Sequence, residues 1–357
     1  MRLRAAIKYA GGLALAAVLM GWVLRDTDRR TLWVQFSDAS ALGLLAAAAL
    51  NVSHNVFRAW RWRALLEPIR PHVPFRPMFD AIILGYATSW VIPGRLGEVV
   101  RPALLSGREA IPFGACLGSV LADRLLDGLA VLGLFGVGIA LLPLEAGSEQ
   151  HAALIRAGAL ALVAAIAIPI LTLVVASRWR ERFEQALADR PGFRGWFGRT
   201  LLALAEGLEA LKRPGLVARI AAHTVAAWLF IAAGTWVGVR ACGVHVPFAA
   251  ILILLPLLVL GIALPTPGGA GGYHAAMRVG LVQLFGVSEP LAVGAALLQH
   301  AVVVLPIVVL GGLIVMVDRI PLEDLTGAAR QMRQMGAIRT PGPSPTRAPA
   351  PPVEKPS

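Results

Sequence analysis

Long apolar runs are the feature of this sequence that most limits its fold. The 357 residues contain eight such runs, and several are long enough to cross a bilayer as helices. The runs are residues 8–24, 39–57, 79–92, 113–143, 152–176, 216–240, 247–264 and 290–317. A helix satisfies its own backbone hydrogen bonds in lipid, whereas an open strand does not. The sequence therefore predicts an all-α polytopic membrane protein.

Composition and charge agree with this prediction. Hydrophobic residues make up 57% of the chain and charged residues 15%, which excludes an ordinary soluble domain. The net charge is +12, and the basic residues of the chain fall in short loops between apolar runs. Cytoplasmic loops of membrane proteins carry such an excess of Lys and Arg. We therefore expect membrane lipids, and not nucleic acid, as the partners of this chain.

Charge parity sets the number of full crossings. If the N-terminus is cytoplasmic, a crossing by the run 79–92 would place the basic loop 177–213 outside, against the positive-inside rule. If this run instead turns back at Pro93-Gly94, and the run 247–264 turns back from the other side, the basic loop and both termini are cytoplasmic. The sequence thus predicts about six transmembrane helices plus two re-entrant Pro-Gly hairpins, with eight spans as the alternative.

The same pattern divides the chain into domains. We expect a transmembrane domain over 1–326, with one half at about 8–143 and a second at about 152–317. Apolar residues at helical spacing predict an amphipathic helix at about 196–212 that lies on the inner leaflet. The Pro-rich segment 327–357 has little apolar content and is expected to be a disordered cytoplasmic tail.

The two Pro-Gly breaks share a motif. Residues 93–97 read Pro-Gly-Arg-Leu-Gly and residues 267–271 read Pro-Gly-Gly-Ala-Gly, so both contain Pro-Gly-x-x-Gly. Proline lacks a backbone donor and glycine permits positive φ, so such a turn leaves polar backbone groups that lipid cannot satisfy. Matched breaks that enter from opposite faces are typical of an inverted repeat whose substrate site lies near mid-membrane.

Charged residues inside apolar runs point to the same site. Asp123, Arg124 and Asp127 lie about 15 Å into the run that begins at Phe113, at 1.5 Å per residue. Charges at this depth are costly and usually line a cavity or a substrate path, although a structural ion pair is the alternative. Arginines beside the first break suit a phosphate-bearing ligand. The candidate substrate-binding residues are Arg61, Pro93, Gly94, Arg95, Gly97, Glu98, Arg101, Asp123, Arg124, Asp127, Pro265, Pro267, Gly268, Gly269 and Gly271.

Other polar residues carry weaker signals. The segment Arg58-Ala59-Trp60-Arg61-Trp62-Arg63 closes the run 39–57, where Trp and Arg match the lipid headgroup zone, so membrane anchoring is the main expectation for most of these side chains. His54, His223, His274 and His300 form no recognisable metal-ligand pair and are interpreted as structural. The sequence shows no catalytic motif, so we expect neither an enzyme nor a cofactor or metal.

An ordered set of motifs resembles a known family. The motifs are Arg61-Trp62-Arg63-Ala64-Leu65-Leu66, Pro93-Gly94-Arg95-Leu96-Gly97-Glu98 with Arg101, Asp123-Arg124-x-x-Asp127, and Leu264-Pro265-Thr266-Pro267-Gly268-Gly269. Over roughly 10–318 the chain resembles the lysylphosphatidylglycerol synthase transmembrane, or flippase-like, family. The resemblance implies a bacterial inner-membrane protein related to the flippase portion of the multiple peptide resistance factor, which moves aminoacylated phospholipid between leaflets.

The chain also departs from that family. Asp123 replaces the usual Glu of a Glu-Arg-x-x-Asp motif, and Gly272-Tyr273-His274 lacks a Glu that often follows the second Gly cluster. The leading hypothesis is therefore binding and translocation of a lipid or lipid-linked anionic substrate, with no particular lipid carried over. Two alternatives remain, a non-catalytic subunit for a lipid-modifying transferase, which would then be a partner, and a membrane scaffold.

Overall fold

Apolar runs become helices throughout the part of the chain that the structure describes. The computed structural model describes residues 2–25, 28–92, 96–141, 213–264 and 266–320, with residue 210 and isolated helical positions between 156 and 171. Regular structure in these ranges is helical, as predicted. The helices are α1 (Arg2–Leu24), α2 (Arg29–Asp38), α3 (Ala41–Leu66), α4 (Phe75–Val91), α5 (Gly97–Glu109), α6 (Phe113–Leu141), α7 (Pro214–Ala241), α8 (Phe248–Ala263), α9 (Gly272–Val279) and α10 (Glu289–Val317).

Three of these helices are long and apolar enough to cross a membrane. They are α6, α7 and α10, and a fourth span results if α2 and α3, which meet at a bend of 78°, are taken together. The structure therefore supports a multi-pass membrane protein. The predicted amphipathic helix at 196–212 and the tail 327–357 lie outside the described residues, as does most of the run 152–176.

Helices α4 and α5 form an antiparallel hairpin. Nη1 of Arg108, near the end of α5, lies 3.3 Å from Oδ2 of Asp80, near the start of α4. The start of α4 and the end of α5 therefore lie side by side. Near the tip, a methyl group added at Gly97 would overlap the carbonyl oxygen of Gly85, which shows how closely the two backbones cross. The chain direction therefore reverses between α4 and α5, and residues 93–95, where the sequence predicts a re-entrant turn, lie outside the described residues.

Helices α8 and α9 form a second hairpin of the same kind. A methyl group at Gly272 of α9 would overlap the carbonyl oxygen of Gly261 of α8. The connecting turn contains a 3₁₀ segment, Pro267–Gly269, and a π-helical turn, Gly280–Leu284, extends α9. Gly268, Gly269 and Gly271 have φ of 61°, 65° and 82°. These positive values favour glycine, which explains the Gly-rich motif.

The hairpin α8–α9 packs against α6, and the hairpin α4–α5 packs against α10. Gly138 of α6 contacts α8, and a methyl group there would lie 2.9 Å from Cβ of Leu252. In the same way Gly311 of α10 contacts α4, where a methyl group would lie 2.6 Å from Cβ of Ala87. Helices α3 and α7 pack side by side between these pairs. The tips and inner faces of both hairpins are thereby brought to one interior region.

Candidate functional site

A buried cluster of ion pairs joins α3, α5 and α6. Arg61 contacts Asp123 at 2.6 Å and Asp127 at 2.8 Å. Arg58, one turn earlier on α3, contacts Asp127 at 2.6 Å, and Arg101 of α5 contacts Asp123 at 2.8 Å. The side chains of Arg61 and Asp123 are 0% exposed. The two carboxylates, four residues apart on one face of α6, thus act as the shared acceptors for three guanidinium groups.

Aromatic side chains surround this cluster. The indole nitrogen of Trp228 on α7 donates a hydrogen bond of 3.0 Å to Asp127 Oδ1. The guanidinium of Arg101 lies over the ring of Trp62, 4.1 Å from its centroid, which adds a cation–π contact. Trp62 in turn donates a hydrogen bond of 2.8 Å to Ser119 Oγ. Helix α7 and the Trp62 ring therefore hold the charged groups in one arrangement and keep lipid away from them.

A further pair extends the cluster toward the interior space. Arg124 contacts Glu98 of α5 at 2.8 Å and Asp127 at 3.5 Å. The side chains of Arg124 and Glu98 are 35% and 36% exposed, unlike the buried pairs behind them. These two residues form the accessible edge of the cluster.

The cluster carries more positive than negative charge. Arg58, Arg61, Arg101 and Arg124 contribute four guanidinium groups, and Glu98, Asp123 and Asp127 contribute three carboxylates, which leaves one positive charge in excess. Within the described residues, Nε of Arg58 and both Nε and Nη2 of Arg101 are buried without a hydrogen-bond partner. Buried donors without partners are costly, so this cluster is chemically suited to an anion.

A cavity of about 380 Å³ opens beside the cluster. One wall is polar and comes from α3 to α6, including Arg58, Glu98, Arg124 and Asp127. The facing wall is mainly apolar and comes from α7, α8 and α10. The residues of that wall include Ile231, Leu255, Leu258, Val259, Ile262, Ala263, Leu264, Val303 and Ile307. The cavity therefore combines charged and apolar surfaces, as an amphiphilic ligand requires.

The cavity borders the outer surface of the helix bundle. Val259, near the end of α8, and Leu264, which follows it, line the cavity and are 38% and 41% exposed. Leu260, between them, is 54% exposed. This apolar rim is suited to contact with lipid chains.

The tips of the two hairpins meet beside the cavity. A methyl group at Gly269 would lie 3.1 Å from the Trp90 ring of α4, and one at Gly268 would lie 3.2 Å from the Trp90 carbonyl oxygen. His300 of α10 bonds through Nε2 to the carbonyl oxygen of Gly268 at 2.9 Å. His274 Nδ1 accepts a hydrogen bond of 3.1 Å from the Gly271 N–H. Both histidines thus fix the backbone of the second turn.

The structure brings most described candidate residues together, but not all. Glu98, Arg124, Asp127 and Gly269 line the cavity, while Arg61, Arg101 and Asp123 lie behind it in the ion cluster. The other described candidates have packing roles: Gly97 at the hairpin crossing, Pro267 and Gly268 in the second turn, and Gly271 against Ala16 and Leu19 of α1. Pro93, Gly94, Arg95 and Pro265 lie outside the described residues.

The membrane anchoring expected for most of the segment 58–63 is wrong for Arg58 and Trp62, while Arg61 was a candidate site residue. Arg58, Arg61 and Trp62 are 4%, 0% and 0% exposed, so they do not anchor the protein in the headgroup zone. The reason is that α3 continues to Leu66, beyond the apolar run that ends at residue 57, and places these side chains inside the bundle. Trp60, at 39% exposed, remains at the surface.

Several cavity residues were not predicted from the sequence. Asn51, His54, Asn55 and Arg58 all line the cavity, and their spacing of three and four residues places them on one face of α3. That spacing was a readable signal of a polar face in an apolar run. Tyr86 and Trp228 also line the cavity, but isolated aromatic residues in apolar helices carry no such signal.

Comparison with known proteins gives a family and one distant relative. No solved structure matches the chain. The chain is 23% identical over 336 residues to Glycosyltransferase AglD of Haloferax volcanii, an alignment that covers 84% of this chain and 53% of that protein. The chain therefore spans about half the length of this relative. The model of the family described as lysylphosphatidylglycerol synthase TM region matches residues 9–311, nearly the whole described chain. The protein thus belongs to the family of the lysylphosphatidylglycerol synthase transmembrane region.

Proposed function

We propose that this protein binds a lipid or lipid-linked molecule with an anionic head group and translocates it between leaflets. One observation carries the proposal: a cavity of about 380 Å³ has a charged wall from one half of the chain and an apolar wall from the other. A lipid has the same division between head group and chains. We place the protein in the bacterial inner membrane with both termini cytoplasmic, acting as a carrier and not as an enzyme.

The charge of the cluster selects an anion. Arg58 and Arg124 lie on the cavity wall, and the cluster to which they belong has one guanidinium more than it has carboxylates. Arginine binds phosphate oxygens through two parallel hydrogen bonds, which a single point charge does not provide. A phosphate in the cavity would balance the excess charge, so we assign the phosphate contact to Arg58 and Arg124.

An inverted repeat would give the two access states that translocation needs. Each half contains a long helix, a hairpin with a glycine crossing and a helix of 29 residues: α3, α4–α5 and α6, then α7, α8–α9 and α10. The crossings at Gly85/Gly97 and Gly261/Gly272 correspond, and each hairpin packs on the last helix of the other half. In the proposed arrangement the two hairpins are re-entrant and enter from opposite faces.

A transport assay with reconstituted protein tests the proposal. The full chain is placed in liposomes with fluorescent phosphatidylglycerol in both leaflets, and the fraction bleached by an impermeant reductant is followed with time. We expect the protein to move inner-leaflet lipid to the outer leaflet. Arg58→Gln and Arg124→Gln should each slow this movement at least about 10-fold. Arg219→Gln is the control, since Arg219 pairs with Glu67 away from the cavity. A rate equal to that of empty liposomes contradicts the proposal.

A second candidate rests on the relative that the comparison found. That protein is named a glycosyltransferase and is about twice as long as the segment it shares with this chain. The second proposed function is therefore that of a non-catalytic membrane subunit for a transferase of aminoacyl or glycosyl groups. In a deletion strain, loss of the modified lipid itself would support a subunit. Normal amounts of that lipid, confined to the inner leaflet, would support translocation.

A further inference from the structure

Uncharged polar side chains extend the cavity beyond the ion cluster. Asn51 and His54 lie one to two turns from Arg58 on the same face of α3 and line the cavity. Thr235 of α7 lines it as well, next to Gly234, where a methyl group would lie 2.6 Å from Asn51 Nδ2. Helices α3 and α7 thus form a second polar region, at a different level from the cluster, which we term the Asn51–Thr235 region.

Asn51 precedes Arg58 by about 10 Å along the axis of α3, at a rise of 1.5 Å per residue. Helical side chains lean toward the N-terminus of their helix, which brings the Arg58 guanidinium toward Asn51. A phosphate on Arg58 would therefore direct the next part of its head group into the Asn51–Thr235 region.

The hydrogen-bond capacity of this region suits hydroxyl groups. Asn51 donates one Nδ2 hydrogen bond of 2.8 Å to the Ala47 carbonyl oxygen, and Thr235 donates its hydroxyl proton to the Ile231 carbonyl oxygen at 2.9 Å. Asn51 retains a second amide hydrogen and its carbonyl oxygen, and Thr235 retains its oxygen lone pairs. Neutral donors and acceptors of this kind bind alcohols without a charge on either side.

A cationic head group would find no carboxylate without an arginine partner among the described residues of the cavity wall. The two carboxylates on the cavity wall, Glu98 and Asp127, are both held by arginines, Glu98 by Arg124 and Asp127 by Arg58 and Arg61. An ammonium group in the cavity would add a positive charge to a cluster that already has one in excess. An aminoacylated lipid is therefore disfavoured relative to an uncharged alcohol of similar size.

We infer that the ligand is a phosphodiester lipid whose head group is uncharged and rich in hydroxyls, with its phosphate on Arg58 and Arg124 and its hydroxyls on Asn51 and Thr235. This inference rests on the proposed function, since it names the class of lipid that the same cavity selects. Glycerol, inositol and sugar head groups share this chemistry.

Equilibrium binding to the detergent-purified full chain tests the inference. The probes are phosphatidylglycerol, phosphatidic acid, which lacks the alcohol, and lysylphosphatidylglycerol, which adds positive charge. We expect phosphatidylglycerol to bind about 10-fold more tightly than either of the others. Asn51→Leu and Thr235→Val should each lower the affinity of the protein for phosphatidylglycerol to its affinity for phosphatidic acid. Thr88→Val is the matched control, because Thr88 is a buried threonine that bonds its own helix and does not line the cavity.

The outcomes of this experiment distinguish failure of the inference about the head group from failure of the proposed function. Equal affinity for phosphatidylglycerol and phosphatidic acid, or tightest binding of lysylphosphatidylglycerol, overturns the inference and leaves anionic-lipid binding in place. Failure of the wild-type chain to bind any of the three lipids overturns both. If Asn51→Leu does not fold because of its contact with Gly234, the wild-type selectivity and Thr235→Val still decide.

Discussion

Arg61 of α3 and Asp123 of α6 lie 2.6 Å apart, and neither side chain is exposed. Asp123 also accepts a hydrogen bond from Arg101 of α5, so one carboxylate holds together three helices of the first half. A charge buried this deeply is tolerated only when its partners remain in place. The geometry of the cavity wall therefore depends on a pair that does not itself line the cavity.

Replacing Arg61 should lower the stability of the protein more than replacing an exposed arginine. Arg61→Leu leaves Asp123 and Asp127 with fewer partners, and breaking a buried pair costs about 3–5 kcal/mol. Arg219→Leu breaks only the exposed pair with Glu67, which is worth about 1 kcal/mol or less. Thermal unfolding in detergent, followed by tryptophan fluorescence, measures the difference. Equal midpoints for the two variants would show that the buried cluster contributes no stability.

The hairpin crossing should not accept a methyl group. In Gly97→Ala the new Cβ overlaps the backbone of Gly85, so α4 and α5 must separate and the variant should be poorly folded. Gly107→Ala, on the same helix, meets nothing within 4 Å and should be neutral or slightly stabilising. Monodisperse yield after size-exclusion chromatography compares them. If Gly97→Ala elutes like the wild-type chain, the close crossing is wrong.

His300 should protect the second turn from hydrogen exchange. His300→Ala removes the bond to the Gly268 carbonyl oxygen and should speed amide exchange in residues 266–272 by about 5-fold, since such a bond contributes about 1 kcal/mol. His300→Gln retains a donor and should restore part of the protection. His223→Ala, on α7, is the control. Unchanged exchange in His300→Ala would mean that the turn is held by other contacts.

The proposed inverted repeat predicts opposite sides for two corresponding loops. His72 precedes the first hairpin and His245 precedes the second, and both are exposed. With Cys116 and Cys242 replaced by alanine, an impermeant thiol reagent should label His72→Cys and Gly107→Cys from the cytoplasm and His245→Cys from outside. Labelling of His72→Cys and His245→Cys from the same side would rule out the inverted arrangement.

The helices and the Gly-rich second turn could be predicted because their causes are local in the sequence. Apolar runs have no alternative to helix in lipid, and Gly268, Gly269 and Gly271 are placed where positive φ is needed. Asp123 and Asp127 were visible as carboxylates inside the run 113–143. These signals need no knowledge of which helices pack together.

The partners of those carboxylates could not be predicted because packing chooses them. Arg58 and Arg61 follow an apolar run, as headgroup anchors do, and only the extension of α3 to Leu66 buries them. His300 contacts Gly268, more than thirty residues away along the chain, through a packing of α10 that no local pattern records. Trp228 joins the cluster from α7 for the same reason.

Photo-cross-linking, with identification of the modified residues, tests most directly whether lipid occupies the cavity. Reconstituted protein is irradiated with phosphatidylglycerol that carries a photoreactive acyl chain, and the modified residues are identified by mass spectrometry. On α10, Ile307 lines the cavity and is 4% exposed, whereas Leu305 faces outward and is 60% exposed. We predict modification of Ile307 and of Leu258 on α8, reduced by Arg58→Gln and by excess unlabelled phosphatidylglycerol. Modification confined to outward residues such as Leu305, unaffected by either, would contradict the lipid site.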